Sequence, residues 1–199
     1  MTNLIISSID NLGWPEIRIW AESLRASGYE DHIAIVVYRT NGVDTNLLKN
    51  KADEYGIYLH MADYSIIHPP HKMHEKLNEY PSLVCRDRFL EYWNFCRCVD
   101  TDYKWVLSTD ARDVIFQKNP NNFLNQLFDG EEILASCEDQ IYNNESWGES
   151  DFKKAYGNFI YQIVGDKLIL NAGVMAVRVE IAADFFLNIY SLCDSSNTS

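Results

Sequence analysis

The stretch YKWVLSTDARDVIFQKNP, residues 103 to 120, sets Asp110, Arg112 and Asp113 between two apolar runs. Successive side chains on a strand point to opposite faces, so Asp110 and Asp113 converge only if the strand ends near Thr109 and the chain turns. The carboxyl ends of strands in a parallel α/β sheet are where ligands bind. Two carboxylates there, with no lysine run beside them, form an oxygen-rich site suited to Mg²⁺ or Mn²⁺. Such an ion would in turn hold a diphosphate. The alternative is a plain turn, in which Asp110 caps the segment and Asp113 pairs with Arg112 or another cation.

The elements that would position these charges follow from the apolar pattern. Buried strands are expected at 3–9, 32–38, 57–63 and 104–109, with helices at 16–28, 45–56 and 82–99. Thr45 is the expected N-cap of the second helix. Near-continuous apolar strands alternating with helices predict an α/β chain, a mostly parallel sheet covered on both faces. Further along, the pattern predicts a short helix at 121–130, a strand at 131–137 and a polar loop at 138–151. One or two strands hinged at Asn171-Ala172-Gly173 should follow over 167–179, then a closing helix at 180–194. No domain boundary is visible in the 199 residues, so a single domain over 1–199 is expected.

Composition narrows the partners. Against 29 acidic residues there are 17 basic ones, a net charge of -12, which disfavours nucleic acid and anionic lipid. No apolar run approaches a membrane span, and the N-terminus lacks a basic stretch leading into an apolar core. A cytoplasmic protein without an integral membrane segment is the expectation. The five cysteines form no CxxC pair and are expected as buried free thiols. His68, His71 and His74 have a spacing that invites a zinc site, although Pro69 and Pro70 keep the first two off one regular helix; a loop or lid is the simpler expectation.

The motif WVLSTDARDVIFQKNP, followed about sixty residues later by LNAGVMAV, resembles the GT-A type glycosyltransferases of the nucleotide-diphospho-sugar transferase superfamily. The resemblance covers the chain from the first strand to about residue 180. It implies a single GT-A-like, Rossmann-like domain that takes a nucleotide-sugar donor, with Mn²⁺ or Mg²⁺ on Asp110 and Asp113. The family spacing is Asp-x-Asp, whereas this chain has Asp-x-x-Asp; Asp113 matches the second carboxylate only if one residue is inserted. Donor contacts are implied at Ser7, Ser8 and Asp10 after the first strand, and Arg88 falls where related enzymes turn an arginine toward the carboxylates. Arg86, two residues away on the helix, is expected in a surface salt bridge with Asp87 or Glu91.

In Asn171-Ala172-Gly173 the small residues allow close backbone approach and the asparagine offers an amide to sugar hydroxyls, although a β-bulge would also place a glycine there. Glu138 and Asp139 are candidate bases for deprotonating an acceptor hydroxyl, and Trp147 could stack on a sugar ring. The acceptor itself, whether glycan, protein or small molecule, is open. Relatives of this type continue past the last helix, so a fragment, a compact variant and a degenerate, non-catalytic nucleotide-sugar-binding domain all stay open. A haloacid-dehalogenase-like phosphatase or phosphotransferase is a further alternative, because that family also uses an aspartate after a strand; there, however, the strand lies near the N-terminus.

Overall fold

Strands form where β-branched and aromatic residues run unbroken, and the sheet is assembled from six of them. The computed structural model describes residues 2–62, 82–99, 102–127 and 130–195. In chain order the strands are β1 (Thr2–Ile9), β2 (His32–Val37), β3 (Ile57–Met61), β4 (Tyr103–Thr109), β5 (Ile133–Ile141) and β6 (Leu168–Arg178). The spatial order is β3-β2-β1-β4-β6-β5. β1 pairs in parallel with β2 and β4, and β2 with β3, while β6 runs antiparallel to both β4 and β5. The helices are α1 (Trp14–Ala26), α2 (Thr45–Glu54), α3 (Ser82–Cys98), α4 (Pro120–Leu124), α5 (Ser146–Val164) and α6 (Val179–Ser195).

Alternation along the strands divides the core into two layers. Ile5, Ile33, Ile35, Trp105 and Leu107 face α1 and α2, where they meet Ile17, Trp20, Leu24 and Leu48. Their neighbours Leu4, Ile6, Ala34, Val36 and Val106 face the other way, onto Phe89, Tyr92 and Phe95 of α3 and Phe186 of α6. The expected α/β architecture, a mostly parallel sheet with helices on both faces, is the one observed.

Polar residues fix the strand starts. The buried Asn3 receives a hydrogen bond at Oδ1 from the Trp105 amide (3.1 Å) and donates from Nδ2 to Asn121 Oδ1 (2.8 Å). Asn121 then donates to Asp31 (2.9 Å), so β1, β4 and the start of α4 are tied by one side chain. Buried amides satisfied this fully specify register as well as stability.

Several elements differ from expectation. Asp44, not Thr45, caps α2: its carboxylate accepts from the Leu47 amide at 2.9 Å, and Thr45 is the first helical residue. The 138–151 segment is not a loop, because β5 continues to Ile141, a 3-10 turn covers Tyr142–Asn144, and α5 begins at Ser146. Glu145 starts that helix. Its side chain accepts from the Gly148 amide and its carbonyl from the Glu149 amide at 3.0 Å. A carboxylate placed there also complements the helix dipole. α5 breaks at Gly157, whose φ of 81° no helical residue adopts. The cysteines are free, yet Cys85, Cys98 and Cys137 are exposed and Cys193 half-buried; Cys96 alone approaches the buried thiol expected, packed against the core with its thiol pushed up to about 12 by burial. The histidine triplet at 68, 71 and 74 lies outside the described residues.

Candidate active site

Asp110 is the first residue past β4, and its backbone is held from three directions. Ser7 Oγ donates to the Thr109 carbonyl at 2.6 Å, and the Trp20 indole donates to Thr109 Oγ1 at 2.9 Å. The Asp110 amide itself donates to the Gly173 carbonyl at 2.8 Å. A side chain mounted on a backbone held in this way is pre-positioned, which suits a site that must act on a ligand without reorganising.

Arg88 reaches this carboxylate from α3. Its Nη1 donates to Asp110 Oδ1 at 2.6 Å, and Nη2 approaches the Ala172 carbonyl at 3.4 Å. The arginine side chain is 14% exposed and the aspartate 41%, so the pair is buried on the protein side and open on the other. Burial works against the arginine's charge, but Tyr92 and Asp110 outweigh it and hold the guanidinium above its ordinary pKa. Arg88 Nε is buried and makes no hydrogen bond among the described residues. Beneath it the Tyr92 hydroxyl is pushed up to about 12, first by burial, with the Arg88 charge pulling the other way. That phenol is neutral throughout the physiological range.

The segment Asn171-Ala172-Gly173 closes the site from β6. It forms a bulge: Ala135 of β5 pairs with Met175, yet the next residue, Ser136, pairs with Asn171. The extra residues stand clear of β5 and turn toward Asp110. A Cβ on Gly173 would lie 2.7 Å from Asn171 Oδ1 and 2.9 Å from Asp110 Oδ2, so this position accommodates hydrogen alone. Asn171 Oδ1 accepts from the Gly173 amide at 2.6 Å, while its Nδ2 approaches Glu138 Oε1 at 3.4 Å. Both expectations for this segment, a close backbone approach and a bulge, therefore describe one geometry.

Arg88, Asp110, Asn171, Ala172, Gly173 and Glu138 thus form one connected group. Not every expected residue joins this group, and some are placed differently than the sequence suggests. Glu138 and Asp139 lie within β5 rather than beyond its end, and Asp139 is exposed. Ser7 is fully buried, so the donor contact expected of its hydroxyl is replaced by the bond to Thr109. Asp10 is held by Arg39, whose Nε donates to Oδ1 at 2.6 Å and whose Nη2 closes a second, shorter contact to Oδ2. Asp113 is 81% exposed on its side chain and stands 4.0 Å from Arg112. Trp147 belongs to α5, and its side chain lies outside the described residues. Arg86 does pair with Asp87, but inside the protein rather than on its surface. Arg39 was not singled out from sequence; its signal was an isolated arginine just beyond the second apolar strand, which many surface arginines share.

No protein-family model and no curated protein matches the sequence. Solved structures do match by fold. The galactosyltransferase LgtC, in complex with donor and acceptor sugar analogues, superposes with a TM-score of 0.55 at 16% identity over 94% of this chain. The bifunctional glycosyltransferase WbbM gives 0.55 at 14% identity over 96%, and mouse xyloside xylosyltransferase 1 gives 0.50 at 12% over 99%. The chain spans 65% of the LgtC chain, 34% of WbbM and 77% of the xylosyltransferase. The fold is that of the GT-A glycosyltransferases, as the two motifs implied. No described helix is long and apolar enough to cross a membrane.

Proposed function

We propose that the chain is a glycosyltransferase domain that binds a nucleotide-diphosphate-sugar donor at the carboxyl edge of its sheet. The reading rests on the connected group of Arg88, Asp110, the Asn171–Gly173 bulge and Glu138 at the edge where ligands of such sheets bind. Asp110 and Asp113 are the proposed holders of Mg²⁺ or Mn²⁺. Among the described residues no group of three or more His, Cys, Asp or Glu could hold a metal ion. One or two carboxylates do suffice for Mg²⁺ when substrate phosphates and water complete its shell, and carboxylate oxygen is the donor such hard ions take. When bound, the cation supplies Lewis-acid stabilisation to the departing diphosphate.

The chain's own residues take the remaining tasks. Arg88 holds the Asp110 carboxylate in place and adds positive charge beside the diphosphate. The bulge brings backbone and the Asn171 amide against the donor sugar, with Ser8 and Asp10 near the nucleoside. Glu138, joined to Asn171, is better placed than Asp139 to accept a proton from an acceptor hydroxyl. The aspartyl nucleophile of a phosphotransferase is less well served here, since the guanidinium of Arg88 occupies one carboxylate oxygen of Asp110.

A panel of nucleotide sugars, each with and without Mn²⁺, tests the reading by thermal shift. A ligand present at a hundredfold excess over its dissociation constant stabilises by about 2.7 kcal/mol. Asp110→Ala should then abolish Mn²⁺-dependent donor binding in calorimetry, and binding of undiminished strength would overturn the assignment. Donor binding without turnover of any acceptor would identify a binding module instead.

A further inference from the structure

At the opposite, amino edge of the sheet a cavity of about 540 Å³ opens between the starts of β1, β2 and β4, the strand β3 and the last turns of α3. Its floor is built from core residues: Leu4 and Ala34 are each 1% exposed and Phe95 8%. Tyr58, 60% exposed, stands at its rim. Rings dominate the walls. Tyr58 and His60 lie against Phe95 with centroids 6.0 and 6.1 Å apart, and His32 meets Tyr103 edge-on at 5.5 Å.

The two imidazoles are fixed by internal partners. His32 Nδ1 is 2.9 Å from the Tyr103 hydroxyl, and His60 Nε2 is 3.1 Å from the buried Glu91 carboxylate. Among the described residues the second nitrogen of each ring makes no further hydrogen bond. No Asp, Glu, Lys or Arg lines the cavity among the described residues, in a chain whose net charge is -12. Walls of rings with a few fixed polar atoms, at several hundred Å³, are the makeup of a small-molecule site. A sugar needs a denser set of amides and carboxylates for its hydroxyls, and Asn94 is the one side-chain amide on the wall among the described residues.

We propose that this cavity is a second ligand site, separate from the carboxyl-edge group, for an uncharged flat aromatic compound with one or two hydrogen-bonding atoms. The proposal stands whether or not the chain transfers sugar.

Cys98, exposed on the cavity wall, provides the test. Its thiolate attacks a reagent disulfide, a new S–S bond forms to Cys98, and the reagent's other half leaves as a thiol. The full chain is treated with a phenol-bearing disulfide and, separately, with 2-hydroxyethyl disulfide, and modification of each cysteine is followed by mass spectrometry. The aromatic reagent should modify Cys98 at least tenfold faster than the aliphatic one, while the exposed Cys85 and Cys137 show a ratio near one. Free indole in excess should suppress the preference at Cys98 alone. Asn94→Trp, which fills the cavity from α3, should bring the Cys98 ratio to near one with the melting temperature and the Cys85 rate unchanged. A ratio near one in the wild-type chain overturns the proposal. So does a preference that survives indole or, in a folded variant, Asn94→Trp.

Discussion

Arg86 and Arg88 stand two residues apart on one helix and do opposite things. Arg86 turns inward, donates to its neighbour Asp87 at 2.8 Å and lies over the Tyr190 ring of α6. That pair is sealed, with the arginine side chain 10% and the aspartate 0% exposed. Arg88 reaches across 22 residues of sequence to Asp110, whose carboxylate keeps 41% of its exposure. The first pair closes its hydrogen-bonding within the protein and fastens α3 to α6. The second leaves a carboxylate half in solvent and an Arg88 Nε without a partner among the described residues, the condition of a site prepared for something else. Burial alone therefore does not separate structural charge from functional charge. What separates them is whether the partner's remaining lone pairs face protein or the open edge.

The contrast can be broken at its sealed end first. Asp87→Ala takes a fully buried carboxylate away from the Arg86 guanidinium and should cost about 3–5 kcal/mol, read as a lower midpoint in denaturant unfolding. If the variant loses under 1 kcal/mol, the pair is not the fastening described. Gly173→Ala acts on the open end. The added methyl meets Asn171 Oδ1, which already accepts from the Gly173 amide, and the free oxygen Oδ2 of the Asp110 carboxylate that Arg88 holds by Oδ1, so the cost should be about 1–3 kcal/mol with donor binding lost. Arg88→Lys keeps the charge but replaces a planar fork with a single ammonium that cannot serve Asp110 and the Ala172 carbonyl together. Donor affinity should fall about tenfold, near 1.4 kcal/mol, with unfolding almost unchanged. Ser7→Ala should be the mildest: about 1 kcal/mol for the lost bond to Thr109 and no change in donor affinity, since that hydroxyl is buried. A large affinity loss at Ser7 would return it to the ligand's surroundings.

The central strands were legible because β1, β2 and β4 are apolar runs buried on both faces, and their alternation already divides Ile5 from Ile6 as the core does. The small pair Ala172-Gly173 announced a close approach. What escaped the sequence was whatever depends on a distant partner. Nothing local to Asp87 says that a guanidinium will be held there in the interior, and nothing local to Asp10 says that Arg39 will reach it from just past β2. Residues 138–151 look like a loop because their charges are dense, yet in α5 those charges serve the helix: Glu145 caps it and Glu149 pairs with Lys153. The exposed cysteines of α3 misled for a related reason, since apolar neighbours in sequence need not surround a residue on a helix, where they fall on other faces.

The direction of β6 has a consequence for how such a domain can vary. Parallel strands offer their ligand edge through the segments that leave them, and those can lengthen or shorten freely. β6 instead contributes from mid-ladder, paired with β5 at Leu168, Leu170 and Asn171 and with β4 from Val174 onward. Inserting one residue after Met175, where β6 pairs with both β4 and β5, would slip every later partner to the opposite face of the sheet, whereas an insertion after Thr40 would leave the ladder in register. Diversification of what the pocket accepts is thereby confined to the connections following β1, β2 and β4, around a floor that tolerates substitution only of like for like.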